Sequence, residues 1–371
     1  MTGSFRILAL TKYGSEAAST RQRLLQFAPY LNHHGITIDP HPLLDDNYVR
    51  ALAQGKRASR QAVILNYLKR LARVVTARRY DLLWVHFEAF PYAPGFFEKL
   101  LSLSGRPVVV DFDDAIFHMY DNHQSPVVRR LLGRKLVPLL RDAAAITVGN
   151  SYLRNYVKGF NAAVTIIPTV VDTTRYVPQQ AADPQKGEAR PLVVGWIGSP
   201  STWPYVERML PALLPVIRNA GAVLRVVGAG PAADRWPELD RVAWSEATEI
   251  TAVQQMDIGI MPLPDEDWAR GKCGYKLIQY MACGLPTIAS PVGVNADIVV
   301  DGETGLLATT ATEWQRALTQ LVNDQQLRRA LGEAGRTRAV QNYSLASQEP
   351  RLLSVLKGAL QRGAAAAKPL G

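Results

Sequence analysis

A stretch of 20 residues, GKCGYKLIQYMACGLPTIAS at 271–290, places two lysines beside an apolar segment that is typical of a helix followed by a strand. Lys272 precedes the predicted helix, and Lys276 falls in its first turn. The helix macrodipole is already positive at that end, so a cation there is unfavourable by about 0.3–1 kcal/mol. A bound anion would reverse the sign. The lysines therefore indicate an anion site, with chance surface lysines as the alternative.

The neighbouring residues indicate which anion such a site would take. If the helix starts near Tyr275, Lys276 and Gln279 point out of its first turn together, beside Lys272 and the Gly274 and Tyr275 amides. Ammonium groups and N–H donors suit phosphate, and an amide side chain suits ribose hydroxyls. The pattern predicts a site for a diphosphate that carries a ribose.

Two further loops are rich in glycine and hydroxyl groups. In GWIGSPSTWPYVERML, residues Gly198, Ser199, Ser201 and Thr202 lead from a predicted strand into a helix, where backbone N–H groups could hold a phosphate. The alternative is an ordinary capped turn. VVGAGP, which contains Gly228, is equally ambiguous. Neither loop matches GxGxxG or the P-loop, which disfavours nicotinamide cofactors and P-loop ATPases.

The elements that must position these residues alternate between short apolar runs and longer segments of helical period. FRILAL, DLLWVHF, RPVVVDF, AAITVGN and VTIIPT are predicted strands in the first half, and PLVVGWIG, AVLRVVG, DIGIMPL and PTIAS in the second. Such alternation predicts parallel sheets with helices on both faces. A polar stretch near 178–190 reads as a linker between domains at 1–177 and 191–343. A last helix over about 344–362 is predicted to join the first domain, with a disordered tail at 363–371.

Composition narrows the class of protein. The 371 residues are 47% hydrophobic and 20% charged, with no apolar run long enough to cross a membrane. Two cysteines and the lack of a signal-peptide pattern predict a reducing cytoplasm. The net charge of +10 indicates a polyanionic partner. Nucleic acid is disfavoured, because no zinc-finger spacing or aromatic RNA-binding signature is present.

The stretch KCGYKLIQYMACGLPTIASPVGVNADIVVDGETGLLA resembles the donor-binding signature of glycosyltransferase family 4. The resemblance also includes VGWIGSPST and MDIGIMPLPD in the second half. It extends more loosely to ILALTKYGSEAASTRQRLLQFAPYL, VVVDFDDAIF, VGNSYLRNYV and IIPTVVDTTRY in the first. It implies a retaining enzyme of the GT-B fold, with two Rossmann-like domains facing across a cleft. The C-terminal domain would bind a nucleotide diphosphate sugar and the N-terminal domain its acceptor, with no cofactor and no metal.

Two departures from the family pattern concern charge. Two Glu residues of the family, one at the donor hexose and one at the ribose, correspond to Gly271 and Gln279 here. Ser199 stands near a family Arg that binds the diphosphate, and a family Lys that follows it has no counterpart. Lys272, Lys276 and Arg270 are expected to supply the missing charge. Gly228 and Trp244 are also assigned to the donor.

The first half carries candidate residues in VVVDFDDAIFHMYDNH. Asp111 and Asp113 form an Asp-x-Asp pattern that a divalent metal could use, but the resemblance favours a role in lining the cleft. Asp113 or Asp114 would accept a proton from an acceptor hydroxyl or bind the donor sugar. His118 is assigned to the donor sugar, with a structural role as the alternative.

An acceptor subsite is assigned to YGSEAASTRQR, where Gly14 and Ser15 follow the first predicted strand. Arg21 would meet an acceptor phosphate, or else lie on a solvated helix surface. Two stretches, at 55–79 and 127–141, mix Lys and Arg with Leu, Val and Ile. They predict either peripheral contact with an anionic membrane or helices with one solvated face.

The sequence thus predicts a hexosyltransferase acting on a glycan or lipid-linked glycan, in cell-surface polysaccharide or glycolipid synthesis. The expected location is the cytoplasm, including the cytoplasmic face of the membrane. Two alternatives stay open: a GT-B epimerase or phosphorylase, and a nucleotide-sugar-binding module of weak activity.

Overall fold

The structure is a computed structural model that describes residues 4–53, 59–179 and 190–366. These residues form two compact units. The described part of the first comprises 4–53, 59–169, 271–273 and 348–366, and that of the second comprises 170–179, 190–270 and 274–347. Most of the predicted linker at 178–190 lies outside the described residues.

Each unit contains a six-stranded parallel sheet. The first sheet has the order β2-β1-β3-β4-β5-β6 and the second β12-β11-β10-β7-β8-β9. The strands of the first are β1 Phe5–Tyr13, β2 Ile36–Leu44, β3 Leu82–His86, β4 Val108–Phe112, β5 Ala145–Val148 and β6 Val164–Ile166. Those of the second are β7 Val193–Ile197, β8 Val223–Val227, β9 Asp240–Val242, β10 Ile258–Met261, β11 Thr287–Ala289 and β12 Leu306–Leu307.

Helices connect the strands in both units. In the first unit they are α1 Ala18–Arg23, α2 Ala28–His33, α3 Asp46–Ala53, α4 Arg60–Val75, α5 Gly95–Lys99, α6 His118–Asp121, α7 Pro126–Leu132, α8 Val137–Asp142 and α9 Ser151–Lys158. In the second they are α10 Trp203–Glu207, α11 Leu210–Asn219, α12 Glu249–Gln254, α13 Asp267–Arg270, α14 Tyr275–Ala282, α15 Asn295–Ile298, α16 Ala311–Asn323 and α17 Gln325–Asn342.

The last helix, α18, spans Leu345–Ala366, and its residues from 348 onward cluster with the first unit. Arg362 Nη2 donates to Ala144 O at 2.9 Å. Residues 363–366, which the sequence assigns to the tail, are helical, and residues 367–371 lie outside the described residues.

The second sheet is covered on both faces, as its strand composition requires. Alternate residues of one strand belong to different apolar clusters: Val193 and Ile197 face one, and Val194 and Trp196 face the other. Strands buried on both faces read as continuous apolar runs. The prediction of two doubly wound domains is confirmed, and in such sheets ligands bind beyond the carboxyl ends of the strands.

Candidate functional site

Four residues predicted to bind the donor come together at the carboxyl ends of β7, β8 and β9. A β-carbon on Gly198 would overlap the Trp196 ring and lie 2.9 Å from Lys276 Cε. A β-carbon on Gly228, which has φ of +77°, would overlap Gly198 O and lie 3.0 Å from Trp244 Cβ. We call Trp196, Gly198, Gly228, Trp244 and Lys276 the second-sheet cluster. Only glycine allows its chain segments to approach so closely.

Lys276 occupies the first turn of α14 within the second-sheet cluster. The helix begins after Gly274, whose φ of +64° lies in the left-handed region. Lys276 is half-buried, and its Nζ lies 5.8 Å from the centre of the Trp196 ring. Leu277 and Ile278, next along the helix, are buried in the core. A cation and the N–H groups of a helix start therefore share one position, which suits an anionic ligand.

The loop that follows β7 presents hydroxyl groups, but these bond largely to one another. Ser199 Oγ lies 2.9 Å from Ser201 Oγ, and Thr202 Oγ1 donates to Ser199 O at 3.1 Å. The following helix, α10, has only five residues, so its dipole is weak. The loop can supply hydroxyl donors, whereas the stronger helix start belongs to α14.

Gln279 does not lie where its spacing from Lys276 suggests. Its side chain is buried, with 2% exposed, instead of pointing out of the first turn. Gln279 Nε2 donates to Glu249 Oε1 at 2.9 Å and to Tyr176 OH at 3.0 Å. The Glu249 carboxylate and the Tyr176 hydroxyl draw the amide inward, because a buried amide must find partners. Tyr275 joins this group, with its OH 3.5 Å from Tyr176 OH.

Glu249, at the start of α12, is a site residue that the sequence reading missed. Its Oε2 accepts from Trp244 Nε1 at 2.7 Å, and its Oε1 accepts from Tyr176 OH at 2.5 Å. Burial, followed by the nearby Tyr275 and Glu249, raises the pKa of Tyr176, so its hydroxyl stays a donor. An acidic residue in a first turn is too common a pattern to single out Glu249 from sequence.

Asp111, at the carboxyl end of β4 in the first unit, is committed to a buried ion pair. Arg23 Nε and Nη2 donate to its two oxygens at 2.9 and 2.6 Å, and Thr147 Oγ1 donates at 2.5 Å. Only 1–2% of either charged side chain is exposed. The expectation that Asp111 lines a cleft is therefore wrong, and its carboxylate is not free for a metal, because it is buried and its charge is balanced by Arg23. Among the described residues, no group of three or more His, Cys, Asp or Glu could hold a metal ion.

Asp113 and Asp114 have partners of different kinds. Asp113 Oδ1 lies 3.1 Å from Nε2 of the buried His86. Burial alone would raise the pKa of Asp113, but His86 and the charges of Arg23 and Lys272 hold it below its usual value. Asp114 Oδ1 lies 3.4 Å from Lys272 Nζ. Lys272 thus clusters with the first unit, whereas Lys276 belongs to the second.

Residues 271–273 are held in the first unit by Asn150. Its Oδ1 caps α9, and its Nδ2 donates to Gly271 O and Lys272 O, both at 3.0 Å. The Cys273 thiol donates to Asp113 O at 2.9 Å, and burial raises its pKa well above the usual value. A β-carbon on Gly271 would overlap that of Ala115. This packing accounts for a glycine where the family carries Glu.

The remaining predicted residues have protein partners of their own. His118 Nδ1 lies 2.8 Å from Asp121 Oδ1, and its Nε2 lies 2.8 Å from Tyr152 OH. Both ring nitrogens are thus engaged, as in a structural histidine. Arg270, in the second unit, pairs with Asp265 at 2.7 Å.

The loop after β1 is held by Asp46, at the start of α3. Ser15 Oγ donates to Asp46 Oδ2 at 2.8 Å, and a β-carbon on Gly14 would overlap the same carboxylate. Arg21 Nη1 donates to Ser15 O at 2.9 Å. The three residues assigned to the acceptor therefore do come together, around a carboxylate.

Comparison with known proteins finds a family match within the second unit. Residues 191–324, which contain the second-sheet cluster, match the family Glycosyl transferases group 1. The chain is 28% identical over 258 residues to the GDP-mannose-dependent alpha-(1-6)-phosphatidylinositol monomannoside mannosyltransferase of Mycolicibacterium smegmatis. That alignment covers 63% of this chain and 66% of the relative, slightly less than two thirds of its length.

Two solved structures are similar over nearly their whole length. A glycosyltransferase from Rickettsia africae has a TM-score of 0.70 at 16% identity, covering 96% of this chain and 99% of that one. Anabaena Alr3699/HepE in complex with UDP-glucose has a TM-score of 0.68 at 17% identity, covering 95% and 99%. At such identities the likeness establishes the fold alone. Residues 191–324 thus resemble the group 1 glycosyltransferases, and the likeness to solved structures shows that the chain has the GT-B fold.

Proposed function

We propose that the protein is a retaining glycosyltransferase that moves a hexose from a nucleotide diphosphate sugar to a glycan or lipid-linked glycan. The observation that carries this proposal is the second-sheet cluster. Its two glycines, Gly198 and Gly228, leave the backbone accessible to a ligand, and Lys276 places a cation beside them. Its position beyond the strand ends, within the segment that matches the family, supports the assignment.

Lys276 is the main cation on the diphosphate in this proposal. Its ammonium group and the first N–H groups of α14 are suited to the phosphate oxygens, with Ser199 and Thr202 hydroxyls as further donors. Lys272 and Arg270 are already paired with Asp114 and Asp265, so each would contribute less.

The chemistry follows from a leaving group that gains charge. The acceptor hydroxyl attacks the anomeric carbon on the face from which the diphosphate departs, and the departing phosphate helps to take the hydroxyl proton. The chain's task is to orient both substrates and to stabilise the growing phosphate charge, which Lys276 does best in the transition state. Asp113 or Asp114 orients the acceptor hydroxyl by accepting its hydrogen bond, whereas His118, with both ring nitrogens engaged, has a structural role.

The acceptor side includes contact with an anionic membrane on the cytoplasmic face. Along α4, Ile64, Leu65 and Leu68 are 61%, 51% and 59% exposed, and Lys69 and Arg73 lie on the same helix. Exposed apolar side chains beside cations favour the surface of an anionic bilayer. Among the described residues, no helix is both long and apolar enough to cross a membrane. A lipid-linked acceptor of cell-surface polysaccharide or glycolipid synthesis fits this arrangement.

The test is a donor screen by thermal stabilisation with UDP-, GDP- and ADP-sugars. The sugar that stabilises best is then incubated with lipid-linked acceptors, and the product's anomeric configuration is read by NMR. Transfer with retained configuration supports the proposal. Conversion of the donor without acceptor would identify an epimerase, and phosphate-dependent cleavage of a glycan a phosphorylase. Binding without hydrolysis or transfer would leave a binding module.

A further inference from the structure

Glu249 is a carboxylate held in one orientation by three neutral donors. Trp244 Nε1 donates to Oε2 at 2.7 Å, while Tyr176 OH and Gln279 Nε2 donate to Oε1 at 2.5 and 2.9 Å. The residue is half-buried and its three partners come from separate parts of the second unit. A side chain fixed in this way loses little further freedom when it binds a ligand.

The carboxylate retains capacity for a further donor. Two carboxylate oxygens offer about four lone-pair positions, and side chains of the residues that the structure describes fill three of them. The remaining position is on Oε2, the oxygen that accepts from Trp244. Trp244 is 37% exposed, so this oxygen lies beside a side chain that reaches the surface.

Two contacts place Glu249 at the edge of the second-sheet cluster. Trp244, its first donor, has its Cβ 3.0 Å from where a β-carbon of Gly228 would lie. Gln279, another of its donors, lies less than one turn after Lys276 on α14, although its side chain turns inward. The carboxylate is thus connected to the diphosphate position through both a strand-end loop and a helix.

The sign of the charge decides which part of the ligand Glu249 meets. A carboxylate repels phosphate but accepts strong hydrogen bonds from neutral hydroxyls. We propose that Glu249 binds the ribose hydroxyls of the nucleoside diphosphate, and that Gln279 and Tyr176 position it. The sequence analysis assigned ribose binding to Gln279, but that amide is buried and its nitrogen already donates to two oxygens. This inference rests on the proposed function.

The experiment compares ribose and deoxyribose ligands by calorimetry. UDP, GDP and ADP are titrated into the wild type, and the best binder is then compared with its 2′-deoxy and 3′-deoxy forms. Loss of one hydrogen bond to a charged group should weaken binding about tenfold for at least one deoxy form. Glu249→Gln should lower the affinity for the parent nucleoside diphosphate by about the same factor. The ratio of its affinities for the parent and the deoxy form should then be close to one.

Three further variants separate a binding role from a structural one. Glu249→Asp keeps the charge but shortens the side chain by one methylene, and it should also lose the preference for the ribose ligand over the deoxyribose ligand. The double variant Glu249→Gln with Gln279→Glu moves the carboxylate to α14 and should restore part of the preference for the ribose ligand. Glu303→Gln alters an exposed Glu of the same unit and should change nothing. Thermal unfolding of each ligand-free variant reports folding.

Two results would overturn the inference in different ways. If Glu249→Gln and Glu249→Asp keep the wild-type preference for ribose, Glu249 is structural and this inference alone is wrong. If the wild type binds none of the nucleoside diphosphates, the proposed function fails and the inference fails with it.

Discussion

Lys276 lies directly against Gly198: a β-carbon on the glycine would stand 2.9 Å from Lys276 Cε and would overlap the Trp196 ring. The first turn of α14 and the end of β7 are therefore built as one surface. A larger residue at position 198 would displace the lysine or the indole.

Gly198→Ala should weaken nucleoside diphosphate binding at least several-fold and lower the free energy of unfolding by about 1–3 kcal/mol, because the added methyl overpacks this surface. Calorimetry and denaturant unfolding measure the two effects. Gly159→Ala is the matched control, since its β-carbon would meet only Tyr156 O, at 3.6 Å. Unchanged affinity for Gly198→Ala would separate the glycine from the ligand site.

The buried pair of Arg23 and Asp111 should be structural. Asp111→Asn leaves Arg23 without its counter-charge and should cost about 3–5 kcal/mol of unfolding free energy. Arg218→Ala breaks the exposed pair with Glu238, where 64% of the Arg side chain is accessible, and should cost less than about 1 kcal/mol. Equal small losses in both variants would contradict the assignment.

Hexosyl transfer should survive EDTA. Asp111 is occupied by Arg23, so the Asp-x-Asp pattern does not offer two free carboxylates to a divalent ion. Initial rates before and after chelation and dialysis provide the measurement. Complete loss, reversed by manganese or magnesium, would show that a metal takes part.

Membrane contact should depend on the exposed face of α4. The wild type should co-sediment with phosphatidylglycerol vesicles, stay in the supernatant with phosphatidylcholine vesicles, and be released by salt. Ile64→Glu with Leu68→Glu should abolish sedimentation. Val340→Glu, at a 40% exposed valine of α17, is the control and should not. Equal recovery of the wild type with both lipids would leave α4 as a solvated helix.

Strong local patterns made much of the fold predictable. Nine strands are apolar runs that the sequence identifies, but β2 was missed because Pro40 and Pro42 interrupt its pattern. Proline is tolerated there because β2 is an edge strand that pairs with β1 alone. β9 and β12, of three and two residues, are too short to show a period.

The site was less predictable, because its contacts join distant parts of the sequence. Spacing on α14 correctly put Lys276 in the first turn, yet it placed Gln279 beside it on the surface. Gln279 instead turns toward Glu249, which is 30 residues away along the chain. Lys272 is four residues from Lys276, but Asn150 and Asp114 hold its segment in the first unit. No sequence period encodes such tertiary partners.

The variant Lys276→Met separates a role of Lys276 in diphosphate binding from a structural role. Met keeps the stem beside Gly198 and removes the charge. The ligand-free variant should be as stable as the wild type or more stable by a few tenths of a kcal/mol, because a cation opposes the dipole of α14.

Calorimetry with the nucleoside diphosphate should show a loss of about 1.5–3 kcal/mol for Lys276→Met, and turnover should fall further because leaving-group charge grows in the transition state. Lys272→Met should lose less, and Lys357→Met, at an exposed lysine of α18, should lose nothing. If Lys276→Met destabilises the free protein and binds the nucleoside diphosphate as tightly as the wild type, the lysine is structural and does not bind the diphosphate.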